Sequence, residues 1–82
     1  FIFRSNSGVD VIHDFVAGTD TIVVSTGING LQVTEPGDLS TRISSDALGN
    51  AVIDFGGGNV VTIDGLNAQD LLSDIGSYIS IG

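Results

Sequence analysis

Across 82 residues, ten acidic side chains face two basic ones, Arg4 and Arg42; lysine and cysteine are absent, and the formal net charge is −8. That balance sets nucleic acid and anionic membrane surfaces aside as partners and favours cations, while the lack of cysteine removes disulfides and thiol chemistry and argues against a cysteine-based zinc site. The length supports one domain with a thin core, and no apolar run approaches membrane-inserting length, since Ile22 to Val24 lies between Asp20 and Ser25.

The chain opens on Phe1-Ile2-Phe3, a strand-like run in which Phe1 and Phe3 share a face and at least one belongs to the core. Phe1 is not an initiator methionine, so the expectation is a piece of a longer protein. Arg4 to Gly8 is a polar turn. Val9 to Phe15 then alternates, with Val9, Val11, His13 and Phe15 on one side and Asp10, Ile12 and Asp14 on the other. Thr21 to Ser25, β-branched up to its terminal serine, is predicted as a strand. After it, Thr26-Gly27-Ile28-Asn29-Gly30 is a loop signal, Leu31 to Thr34 a brief strand, and Glu35-Pro36-Gly37-Asp38 a turn.

From Leu39 the pattern changes to hairpins. Thr41 to Ser44 is predicted as a strand with Ile43 inward, and Asp46 to Asn50 as the connecting turn. Ala51 to Phe55 and Val60 to Ile63 are two β runs around Gly56-Gly57-Gly58-Asn59, which makes an antiparallel hairpin. Asn67 starts a short helix as its N-cap, with Asp70 in the first turn, Leu66, Leu71, Leu72 and Ile75 on the buried side, and Gly76 as the stop. Ser77 to Ile81 is the final strand.

One unit occurs twice. Gly8-Val9-Asp10-Val11-Ile12 and Gly18-Thr19-Asp20-Thr21-Ile22 both read Gly-x-Asp-x-Ile and both lead into a β-branched run. Glycine lets the backbone bend, Asp places a hard carboxylate oxygen at the end of the turn, and the Ile two residues later points inward as the strand begins. Nine of the ten acids are Asp, whose short side chain holds oxygen near backbone carbonyls that complete a hard-cation shell.

These units resemble degenerate copies of the RTX nonapeptide Gly-Gly-x-Gly-x-Asp-x-hydrophobic-x found in calcium-binding parallel β-rolls. Gly8, Asp10 and Ile12, like Gly18, Asp20 and Ile22, fall on the second half of the motif; Ser5 and Asn6, or Phe15 and Val16, stand where its glycine pair would be. The wider phrase, from Phe1-Ile2-Phe3 through Ile12-His13-Asp14-Phe15 to Ile22, is similar to the segment that ends the β-roll in serralysin-type proteases, in the R-modules of mannuronan epimerases and in other type I secreted proteins. Asn50 to Phe55, Asn59 to Leu66 and Asp70 to Leu72 resemble the caps that follow. Residues 26–40 match nothing in that pattern.

The resemblance implies a mainly β fold: the end of a parallel β-roll over residues 1–25, with Ile12 and Phe15 inward, an irregular connection over 26–40, and an antiparallel hairpin cap over 41–82 with one short helix near 67–75. It implies calcium as the cofactor, with Gly8, Asp10, Gly18 and Asp20 as site residues and Asn6 and Ser7 as carbonyl ligands. In such a roll a cation sits between turns about 18 residues apart, so the two units do not share an ion. The same step from Asp10 reaches Ile28, beside Asn29, and from Asp20 reaches Asp38, so the other halves of these sites are expected in preceding repeats or a neighbouring chain.

A second reading stays open beside it: each Gly-x-Asp simply makes a polar turn, with Asp bonding backbone N–H groups. Asp14 caps a turn or binds metal equally well. His13, the one histidine, is expected as a surface or packed strand residue. No Gly-x-Ser-x-Gly elbow accompanies the serines, and Gly56-Gly57-Gly58 lacks the Lys-Ser/Thr of a phosphate loop. The expectation is a non-enzymatic, extracellular folding and secretion module; the resemblance implies export by a type I apparatus while calcium is low and folding driven by external calcium. Two other classes are a polysaccharide-binding module of a carbohydrate-active enzyme and a structural segment of a surface adhesin. Exposed roll edges make a homodimer through the N-terminal face a further possibility.

Overall fold

Two sheets enclose a single apolar core; the chain alternates between them over its first three strands and stays in one sheet from its fourth strand to its sixth. The computed structural model describes residues 1–82. One sheet holds β1 (Ile2–Phe3), β3 (Ile22–Val24) and β7 (Ile79–Ile81) in the order β1-β3-β7; the other holds β2 (Val9–Ile12), β4 (Ile43–Ser45), β5 (Asn50–Asp54) and β6 (Val60–Asn67) in the order β2-β6-β5-β4. Two short helices, α1 (Ala68–Ser73) and α2 (Ile75–Tyr78), connect β6 to β7.

The N-terminal third makes one full circuit of the two sheets. From β1 the chain turns into β2 of the facing sheet and returns in β3, which pairs parallel with β1, Ile2 opposite Val23 and Phe3 opposite Val24. The C-terminal half then lies along the same path. β6 pairs parallel with β2, Val9 opposite Val60 through Ile12 opposite Ile63, and β7 pairs parallel with β3, Ile22 opposite Ile79. β5 is antiparallel to both β4 and β6, so the predicted hairpin around Gly56 to Gly58 is present. All three of those glycines have positive φ, a conformation in which a Cβ is strained, and Phe55 N–H closes the loop on the Asn59 carbonyl at 2.8 Å.

Alternation decides which side chains are inside. Ala51, Ile53, Val61 and Ile63 of the second sheet are fully buried against Ile22, Val24 and Ile79 of the first, in a cluster of sixteen side chains. Burial of each Ile, Leu or Phe is worth about 1.5–3 kcal/mol, so this cluster is the main stabilising term. Of the two N-terminal phenylalanines, Phe3 is buried and stacks on Phe55 at 5.4 Å, while Phe1 is half exposed. Ile12 is buried and Phe15 half-buried, lying 6.1 Å from both the Phe1 and Tyr78 rings.

Several local expectations differ from the fold. Strand accounts for 34% of the chain and helix for 24%, so the fold is sheet-rich but carries more helix than one short segment. Leu31 to Thr34 is not a strand: Gly27, Asn29 and Gly30 have positive φ, which makes Ile28–Gly30 an irregular turn, and Gly27 N–H bonds the Val33 carbonyl. The turn at Glu35 opens a 3-10 segment, Pro36–Arg42, because Glu35 and Asp38 form a capping box around it and Leu39 is buried beneath. Asn67 caps α1, its Oδ1 accepting from Gln69 N–H at 2.7 Å. Gly76 does not stop that helix. The break falls at Asp74, in a non-helical conformation, and Gly76 lies within α2. The last strand is accordingly shorter, Ile79–Ile81.

Candidate calcium corners

The two Gly-x-Asp units form corners at opposite ends of β2. The first, Ser5 to Gly8, leads from β1 into β2; Asn6 and Gly8 both have positive φ there. Asn29 Oδ1 accepts from Asn6 N–H at 2.8 Å, and Asn29 N–H donates to Ser5 Oγ at 2.9 Å. Asn59 Oδ1 accepts from Gly8 N–H at 2.8 Å, and the Gly8 carbonyl accepts from Val60 N–H at 3.0 Å. Three segments distant in sequence therefore meet at this corner.

Asp10 shares its side of β2 with buried Ile12, while Val9 and Val11 are exposed. It is half-buried and lines a groove of about 290 Å³ with Phe1, Ile2, Phe3, Ser7, Val11 and Ile12. Ser7 Oγ is buried without a hydrogen-bond partner. The groove lies between β1 and β2, whose outer edges pair with no other strand.

The second corner closes on itself. Val16 O accepts from Thr19 N–H at 3.1 Å and from Asp20 N–H at 2.8 Å, and Asp20 Oδ2 accepts from Val16 N–H at 2.9 Å, with Gly18 at positive φ between them. Asp20 thus holds its own turn. Asp14 is exposed. His13 Nδ1 lies 3.5 Å from Asp64 Oδ2, an exposed contact between the ends of paired β2 and β6.

Calcium asks for six to eight oxygens around one point. No group of three or more His, Asp or Glu side chains converges anywhere in the fold. Asp10 and Asp20 belong to different corners and one oxygen of Asp20 is already bonded, so these residues do not make a complete calcium shell within the chain. Other aspartates serve turns as well. Asp54 Oδ1 accepts from Gly56 N–H at 2.7 Å. The Asp38 carboxyl is held below its ordinary pKa by the N–H groups of Thr34 and Glu35, and the Asp46 carboxyl by those of Asn50 and Leu48.

Asn29 and Asn59 are the corner residues that sequence reading passed over. Asn29 carried a faint signal, since the calcium spacing counted from Asp10 ends beside it. Asn59 read only as part of a hairpin loop.

Comparison with protein-family models, with curated proteins and with solved structures finds no match in any of the three.

Proposed function

We propose that this chain is a C-terminal cap and folding module of a longer secreted, calcium-associated protein, closing one end of a two-sheet parallel β coil. The observation that supports this reading most is the pairing: β1, β2 and β3 make one circuit, and β6 and β7 lie parallel along β2 and β3. On that side the circuit's strand edges are paired and shielded from further strand addition. On the other side the edges of β1 and β2 stay open around the groove that holds Asp10, with Phe1, Ile2, Val9 and Val11 exposed beside it.

In this reading the module has no catalytic role, and the open edges receive a preceding coil of the same protein. Two copies of the chain are the poorer occupants of that face, because each carries a net charge of −8. Calcium belongs to the joined assembly, with Asp10 as this chain's contribution and the remaining oxygens supplied by the added coil. Binding to the folded assembly alone would stabilise it by mass action, which suits a segment exported unfolded and folded outside.

The experiment extends the chain at Phe1 by two nonapeptides of the Gly-Gly-x-Gly-x-Asp-x-hydrophobic-x pattern. Calcium is titrated by calorimetry into the extended and the unextended chain. The extended chain is expected to bind at least tenfold more tightly, about 1.4 kcal/mol. Equal affinity for the two would refute the reading.

A further inference from the structure

We infer that the Ser5 to Gly8 corner is closed by asparagine side chains in the place where a β-roll turn would hold a cation, and that Asn29 and Asn59 do this work. A calcium turn aims oxygens at its centre. Here the backbone aims N–H groups: those of Asn6 and Gly8 donate to Asn29 Oδ1 and Asn59 Oδ1, each at 2.8 Å. The positive ends of those N–H dipoles face the bound oxygen and would repel a metal ion put in its place. The oxygen by which Gly8 could ligate a metal already accepts from Val60 N–H at 3.0 Å.

The other half of each amide fixes its orientation. Asn29 Nδ2 donates to the Phe55 carbonyl at 2.9 Å and Asn59 Nδ2 donates to the Gly56 carbonyl at 2.8 Å. The amide offers an acceptor and two donor hydrogens on one short planar group. Aspartate would lose the donor, and leucine would lose both. The bridges span 23 residues from Asn6 to Asn29 and 51 from Gly8 to Asn59, so they tie the first circuit to the loop after β3 and to the loop before β6. Asn59 is the one polar side chain among the buried residues, 8% exposed. This buried amide is therefore satisfied at both ends. The corner is assembled without a cation, with the N–H groups of Asn6 and Gly8 held by amide oxygens and the Gly8 carbonyl engaged by Val60 N–H. The hydrogen bonds themselves lie within this chain, while their standing in for a cation rests on the β-coil reading proposed above.

The test is amide hydrogen exchange by NMR on the full chain in EDTA and in millimolar calcium. In the wild type, the Asn6 and Gly8 amides are expected to be protected in EDTA and to keep their resonance positions when calcium is added. Asn29→Ala is expected to speed exchange at Asn6, and Asn59→Ala at Gly8, each about fivefold or more, relative to the core amide of Ile63. Calcium-dependent, saturable shifts at Asn6 or Gly8 would overturn the inference. So would wild-type amides that exchange in EDTA as fast as those of the variants. Should Asn59→Ala fail to fold, Asn29→Ala and the wild-type calcium titration still support or overturn the inference.

Discussion

Ile79→Ala probes the parallel seating of β7 on β3, the contact by which the C-terminus joins the first circuit. Ile79 is 1% exposed and pairs with Ile22, which is fully buried. The substitution deletes three side-chain carbons, about 2.4 kcal/mol at ~0.8 kcal/mol per carbon. The cavity left behind brings the total to about 3–4 kcal/mol, within the usual range for Ile→Ala in a core. A chain of 82 residues is expected to have only about 4–12 kcal/mol of stability. A loss of that size lowers Tm by roughly 12–32 °C for a domain this small. The assay is thermal and urea unfolding followed by circular dichroism, with Ser80→Ala as the control. Ser80 lies on the same strand but is exposed, so its replacement is expected to change stability by less than about 0.5 kcal/mol. Equal effects of the two substitutions would refute the seating of β7.

Asn67→Ala removes the acceptor for Gln69 N–H at the start of α1 and is expected to cost about 1 kcal/mol, or roughly 4–8 °C in Tm. Gly18 and Gly76 make a matched pair, since a Cβ meets nothing within 4 Å at either position but only Gly18 has positive φ, +83°. Gly18→Ala is therefore expected to destabilise by about 1–2 kcal/mol through backbone strain, and Gly76→Ala to stabilise by up to ~1 kcal/mol; urea midpoints with the same sign would contradict this. Asp38 and Asp46 titrate low in the folded chain because backbone N–H groups hold their ionised forms, Thr34 foremost for Asp38 and Asn50 for Asp46. Their contribution is complete above the unfolded carboxylate pKa of about 3.9 and is lost as pH falls through the lower folded value. Asp38→Asn and Asp46→Asn should each flatten the fall in urea midpoint below about pH 4; an unchanged acid slope would refute the assignment.

Much of the local structure was legible in the sequence. The β-branched run at Ile22 to Val24, the glycine loop between β5 and β6 and the Asn67 cap depend on neighbours within a few residues, and all three are present. Leu31 to Thr34 failed as a strand because the Val33 carbonyl is bonded by Gly27 N–H from the far side of a turn. Gly76 failed as a helix stop because the chain had already broken at Asp74.

The candidate site divides in the same way. Sequence by itself determined where the corners lie, because Gly8 and Gly18 mark backbone that only glycine adopts without strain and the inward Ile two residues past each Asp sets the strand phase. It also determined that the chain is acidic and without thiols. What fills the first corner was decided by tertiary structure alone. Asp20 meets its own turn through a residue four positions away, whereas the open groove that Asp10 faces depends on which strands lie alongside. The amides that close the first corner arrive from 23 and 51 residues away. Hydrogen bonds over that span carry no periodic imprint in a sequence, and they exist only once β3 and β6 have been laid against the first circuit by the burial of the core.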